Sequence, residues 1–160
     1  MPGSRPDNQA VIASLESILV FDLCEPTIIS DPAGVVSCRP PITCLGPRTT
    51  YGGIASLSGH FLSFGIFFRP FTPWRLFGIP TYQMVGLDCE GTSVFGPWVA
   101  DLWHKLGSCR TFTQRVMFAT ETLLRLANTA RPLTSIMCTV NGSAHLTRQR
   151  ESLKSLTIRQ

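Results

Sequence analysis

The chain has 160 residues, a formal net charge of +4, 44% hydrophobic residues and 15% charged ones. That is enough apolar surface for one core of ordinary domain size, and too few charges for a disordered chain. No run of about 18 apolar residues occurs, which argues against a membrane-spanning helix.

Residues 1–10 read as a flexible leader, polar at first and carrying two prolines. They lack the apolar stretch of a secretory signal, so the expected compartment is the cytoplasm. Ser17-Ile18-Leu19-Val20-Phe21-Asp22-Leu23 is rich in β-branched and aromatic residues and reads as a strand ending near Pro26. Thr27-Ile28-Ile29-Ser30 is a second short run. Asp31-Pro32-Ala33-Gly34 has turn chemistry, with proline presetting φ and glycine supplying the permissive position. Val35 to Cys38 and Ile42 to Gly46, closed by Pro47, are further strand candidates, and Gly52-Gly53 marks a bulge or bend before Ile54 to Leu57.

The most apolar and aromatic stretch runs from His60 to Pro70, and about nine of its residues read as a buried strand. It is taken as the last strand of the β layer. Phe71 to Pro80 breaks the pattern with two prolines and a glycine, and the period changes beyond it. Short strands at this spacing predict an antiparallel sandwich or barrel rather than βαβ units.

Val94, Trp98, Leu102 and Leu106 recur every four residues, with Phe95, Val99 and Trp103 alongside. This predicts an amphipathic helix of about fourteen residues, capped by Thr92 or Ser93 and ended by Gly107. Thr111-Phe112-Thr113-Gln114 is a capping-box pattern opening a second helix. Its expected buried side is Val116, Ala119, Leu123 and Ala127, flanked by Met117, Leu124 and Leu126, and Arg131-Pro132 ends it. The two helices are expected to pack as a pair and bury both tryptophans of the first. A third helical stretch starts near Thr134. The tail is basic, with Arg148, Arg150, Lys154 and Arg159 against one acid, Glu151.

Catalytic motifs are absent. His60, His104 and His145 are far apart, and no HExxH, GxSxG, P-loop or GxGxxG occurs. The six cysteines form no CxxC pair and are expected to be free thiols acting as small apolar residues. The reading is therefore no enzyme, no catalytic residues, no metal and no cofactor.

Leu45-Gly46-Pro47-Arg48-Thr49, Leu57-Ser58-Gly59-His60-Phe61, Phe64-Gly65-Ile66-Phe67-Phe68-Arg69-Pro70 and Leu76-Phe77-Gly78-Ile79-Pro80 occur in that order. Val94-Phe95-Gly96-Pro97-Trp98-Val99, Leu102-Trp103, Leu106, Thr111-Phe112 and Arg115-Val116 follow. Together they resemble the N-terminal domain of a subgroup of AraC-type (AraC/XylS) bacterial transcriptional regulators, across roughly residues 17 to 140.

The resemblance implies an α+β fold, a cupin-like antiparallel sheet or partial barrel followed by an α-helical linker pair. Residues 11–70 become a β-rich sensor-like region, 71–132 a helical linker and dimerisation region, and 133–160 a stub of a helix-turn-helix DNA-binding domain. Leu156 to Gln160 is similar to the opening of a recognition helix, which makes Thr157, Ile158, Arg159 and Gln160 the candidate DNA-contacting residues. The tail alone is expected to be frayed or loosely helical, as in a truncated member. The implied partners are DNA (weakly bound or unbound by this chain), a small-molecule effector and a second copy of the chain, with no membrane. Strand alternation puts Phe61, Ser63, Gly65, Phe67 and Arg69 on one face, and Leu62, Phe64, Ile66 and Phe68 on the core face. The first face, with small residues between aromatics, is the candidate effector surface, although apolar strand faces are usually core. The alternatives are a stand-alone small-molecule-binding module without DNA binding, and a cupin-type enzyme.

Overall fold

The computed structural model describes residues 7–11, 13–50, 52–57, 61–130 and 156–159. The β-rich run at the start of the chain becomes β2 (Ser17–Asp22), flanked by β5 (Ile42–Leu45) and β7 (Ser63–Phe68). Its neighbours are fixed by register: Leu19 faces Cys44 on one side and Ile66 on the other, and Phe21 faces Ile42 and Phe64. Paired residues share a face. One face of this sheet is therefore Leu19, Phe21, Ile42, Cys44, Phe64, Ile66 and Phe68, all buried. The predicted alternation of the central stretch holds for Phe64, Ile66 and Phe68.

Two short strands extend this sheet at its edges. β8 (Asp88–Glu90) pairs with β5, and β9 (Leu156–Arg159) pairs with β7, giving five antiparallel strands in the order β8-β5-β2-β7-β9. A second sheet has four antiparallel strands in the order β1-β6-β3-β4, built from β1 (Asp7–Ala10), β3 (Ile28–Ser30), β4 (Val36–Cys38) and β6 (Ile54–Leu57). Neither sheet closes into a barrel among the described residues. The fold is α+β.

Two expectations are corrected here. Asp7–Ala10 is not loose leader but a strand paired residue by residue with Leu57–Ile54. β7 is neither the last strand nor an edge: β9 lies beyond it, and β8 follows it in the chain. Sheet pairing also joins distant parts of the chain, β5 with β8 and β7 with β9.

Turn chemistry behaves as the sequence predicts. Asp31 Oδ1 accepts from the N–H groups of Ala33 (2.9 Å) and Val35 (2.8 Å), and Gly34 at φ 84° closes the β3–β4 hairpin. Gly53 sits at φ 114° with the Ser30 carbonyl against it, so a side chain there has neither the conformation nor the room.

The helices begin with α1 (Thr72–Phe77) and α2 (Thr81–Met84). The single long helix predicted over 94–107 is divided. α3 (Gly91–Phe95) stops at Gly96, which takes φ 90°, and α4 (Trp98–Ser108) restarts after Pro97. A proline without an N–H, beside a glycine in a left-handed conformation, breaks the ladder while the apolar rows continue across it. Thr92 and Ser93 therefore lie inside α3 rather than capping it, and Gly107 lies within α4. α5 (Phe112–Asn128) carries the predicted capping box: Gln114 N–H donates to Thr111 Oγ1 at 3.3 Å, and Thr111 N–H donates to Gln114 Oε1 at 3.3 Å.

Val99, Leu102 and Leu106 of α4 and Ala119 and Leu123 of α5 join the sheet residues in one core. Met117 and Leu124, expected beside the buried side of α5, are exposed. The tryptophans are half-buried rather than enclosed by the helix pair: Trp98 stacks on Phe77 at 5.7 Å, and Trp103 Nε1 donates to the Asp22 carbonyl at 2.8 Å. The third helical stretch and Arg131-Pro132 lie outside the described residues. No described helix is long and apolar enough to cross a membrane.

Candidate ligand-binding site

A cavity of about 450 Å³ opens where residues of both sheets meet. Its apolar lining includes Ile29 of β3, Pro32 of the hairpin turn and Pro40. Its charged lining is Asp31, Arg39, Arg48 and Asp88.

Each charged group is placed by backbone structure. Arg39 follows β4 directly, and its N–H donates to the Thr27 carbonyl at 2.8 Å. Arg48 follows β5, is held by two backbone hydrogen bonds with Ser14 (2.8 and 3.0 Å), and donates from Nη2 to the Leu87 carbonyl at 3.2 Å. Asp88 opens β8 opposite Leu45. Two arginines from separate segments thus reach one carboxylate oxygen, Asp88 Oδ2, at 3.6 Å each.

That distance is long. Charge-assisted N–H···O bonds sit near ~2.8 Å. The Arg39 side chain is only 8% exposed, and its Nε and Nη2 are buried without a hydrogen-bond partner among the described residues. Its charge is withdrawn from water and incompletely answered. Asp88, by contrast, has a side chain 38% exposed.

Asp22 lies behind this cluster. Burial pushes its carboxyl above the ordinary value of 3.8, opposed by hydrogen bonds from the Thr27 hydroxyl (2.8 Å) and N–H (3.3 Å) and by the charge of Arg39. Beside Asp88, burial pushes the Cys44 thiol up to about 12, with Cys89 and Asp88 adding to the rise. The Cys89 thiol is raised for the same first reason. Cys24, Cys38, Cys44, Cys89 and Cys109 are all free; Cys138 lies outside the described residues.

The residues singled out from the sequence are elsewhere. Ser63, Gly65 and Phe67 occupy the face of β7 turned from the core, Phe61 and Arg69 lie exposed outside the strand, and none of the five lines the cavity. The space above Gly65 is taken by its own neighbour: a Cβ there would lie 3.3 Å from Phe67 Cε2. The gap between aromatics is filled by protein.

Thr157, Ile158 and Arg159 are not at the start of a helix. They are strand residues, opposite Phe67, Ile66 and Gly65 respectively, and Gln160 lies outside the described residues. The expectation of a frayed or loosely helical end is corrected for this segment. Leu-Thr-Ile favours extended backbone, and the β7 edge supplies partners. A strand cannot offer successive residues to a groove as the first turn of a recognition helix does.

His104 is exposed on α4 with its ring 4.9 Å from that of Trp103, while His60 and His145 lie outside the described residues. Among the described residues, no three His, Cys, Asp or Glu side chains gather in a way that would hold a metal ion.

A signal for the cavity was present in the chain. Between residues 26 and 59 the charged residues are Asp31, Arg39 and Arg48, and all three line it. Charges isolated in a β-rich apolar segment, each next to or near proline, mark where strands end around a polar interior. No family model matches the chain, and no match was found among curated proteins or solved structures.

Proposed function

We propose that this chain is the ligand-sensing region of an AraC-type transcriptional regulator, with a cupin-like arrangement of its sheets, acting in the cytoplasm by binding rather than by catalysis. The observation that carries the sensing part is the cavity of about 450 Å³ between the sheets, within the ~300–1,000 Å³ range of small-molecule sites. Its few convergent polar groups give orientation, and its apolar lining gives affinity. The assignment to transcription rests on the order and spacing of the motifs from Leu45 to Val116. Self-association is supported by α5, which leaves Met117, Phe118 and Leu124 exposed.

Immunoprecipitation of the native protein that carries this region, crosslinked to DNA in its own cells, tests the regulatory reading, since these 160 residues alone are expected to bind DNA weakly or not at all. Enrichment at discrete promoter regions is expected. Enrichment nowhere refutes regulation and leaves ligand binding standing. A second reading, a stand-alone small-molecule-binding module, is favoured by the strand formed at Leu156–Arg159. It predicts saturable thermal stabilisation by a small molecule with no dependence on DNA.

A further inference from the structure

We propose, building on the sensing reading, that the cavity takes a small organic carboxylate, whose head group displaces Asp88 and binds across Arg39 and Arg48. Three observations meet here.

The first is the geometry of Arg39. Nε and Nη2 form one edge of the guanidinium, the edge that pairs with both oxygens of a planar carboxylate. Both atoms are buried and neither has a hydrogen-bond partner among the described residues, Nη2 having only the distant Asp88 Oδ2 at 3.6 Å. A buried polar edge left open in this way is what a ligand group fills.

The second is the state of Asp88. It stands 3.6 Å from each arginine through a single oxygen, too far for a good hydrogen bond to either. It is partly exposed and sits on a three-residue edge strand. It therefore acts as a resident anion, holding the two cations together while the site is empty and turning toward solvent when a better-fitting anion enters. The other acids are not free to do this. Asp31 Oδ1 is committed to two backbone N–H groups, and Asp22 is only 3% exposed and bound to Thr27.

The third is the remaining wall. Ile29, Pro32 and Pro40 present apolar surface. That suits a carboxylate carrying a hydrocarbon body better than inorganic phosphate, which has nothing to place there.

The test is a calorimetric titration of the full chain with cyclohexanecarboxylate, cyclohexanecarboxamide and inorganic phosphate. Thermal stabilisation is followed in parallel with straight-chain carboxylates from acetate upward. Saturable binding of carboxylates is expected, with the carboxamide and phosphate at least about tenfold weaker. Arg48→Gln should weaken carboxylate binding by about tenfold or more. Asp88→Asn should tighten it several-fold, because a competing anion is removed; a merely structural Asp88 would give no such gain. Circular dichroism of each variant separates misfolding from lost binding, and Arg48→Lys should recover part of the affinity if charge is what matters.

Equal binding of the carboxamide, a preference for phosphate, or weaker binding by a folded Asp88→Asn chain overturns the proposal. So does the failure of every carboxylate to stabilise both the wild-type and Asp88→Asn chains. Stabilisation by neutral compounds alone would overturn the anion site while leaving the sensing function intact.

Discussion

Replacing Trp103 by phenylalanine tests how the helical layer is fastened to the sheet. In the β2–β5 ladder, Asp22 and Pro41 stand where two antiparallel residues exchange a pair of backbone hydrogen bonds. Asp22 N–H donates to the Pro41 carbonyl at 2.8 Å, but proline has no N–H to return. The carbonyl of Asp22, a residue only 3% exposed, accepts from Trp103 Nε1 at 2.8 Å instead. Phenylalanine keeps much of the ring's apolar contact and removes the donor.

Stranding a buried acceptor costs about 1–3 kcal/mol. For a domain of this size that is roughly 3–10 °C in the unfolding midpoint. Urea unfolding followed by far-ultraviolet circular dichroism measures it without relying on tryptophan fluorescence. Pro41→Ala supplies the missing backbone donor. In that background Trp103→Phe should cost about 1 kcal/mol less than in the wild type, which a double-mutant cycle isolates. A cost under ~0.5 kcal/mol in the wild type, or the same cost in both backgrounds, refutes the idea that the indole replaces the ladder bond.

Gly46→Ala and Gly107→Ala should move stability in opposite directions: a Cβ at 46 falls on the Met84 carbonyl oxygen, whereas at 107, inside α4, it meets nothing within 4 Å. The first should cost several kcal/mol or prevent folding, and the second should add up to about 1 kcal/mol in thermal unfolding. Thr111→Ala removes the capping box of α5 and should cost about 1 kcal/mol, read by urea unfolding. Asp22 has its carboxyl raised by burial, so its protonated form suits the folded state best, and its stabilising effect is lost as pH rises from 3.8 through the folded-state value. Asp22→Asn keeps an acceptor for Thr27 and should gain stability relative to wild type as pH rises above 3.8; a relative loss over that rise contradicts the burial argument. Alkylation near pH 8, read by peptide mass spectrometry, should label the exposed Cys24 and Cys38 quickly, and should reach Cys44, with its thiol pushed up to about 12, only in denaturant.

What the sequence alone determined is local. The alternation of β7 is a period-two signal between neighbours, and Phe64, Ile66 and Phe68 are buried as it requires. The capping box at Thr111 and Gln114 and the turn at Asp31 are bonds between residues a few positions apart, readable wherever those residue types occur at that spacing. Composition announced an apolar core with a β-rich first half and a helical second half. It could not say that residues 7–10 pair with β6, or that Asp88–Glu90 and Leu156–Arg159 extend the sheet, because edge pairing is a property of free backbone groups that no side-chain pattern encodes. The same limit hid the helix break: the apolar rows run on through Gly96 and Pro97, and only the backbone stops.

The site belongs mostly to tertiary structure. Attention in the sequence fell on the small residues of β7, whereas the cavity is lined by residues of other segments, and the Phe67 ring stands close above Gly65. The cavity arises because Arg39 follows β4, Arg48 follows β5 and Asp88 opens β8, which pairs with β5, so that residues far apart in the chain meet, Arg48 reaching Leu87 across 39 positions. Their isolation in an apolar stretch hinted at a shared interior. Which charge faces which, and which guanidinium edge is left open, depends on long-range pairing that becomes definite only when the sheets form.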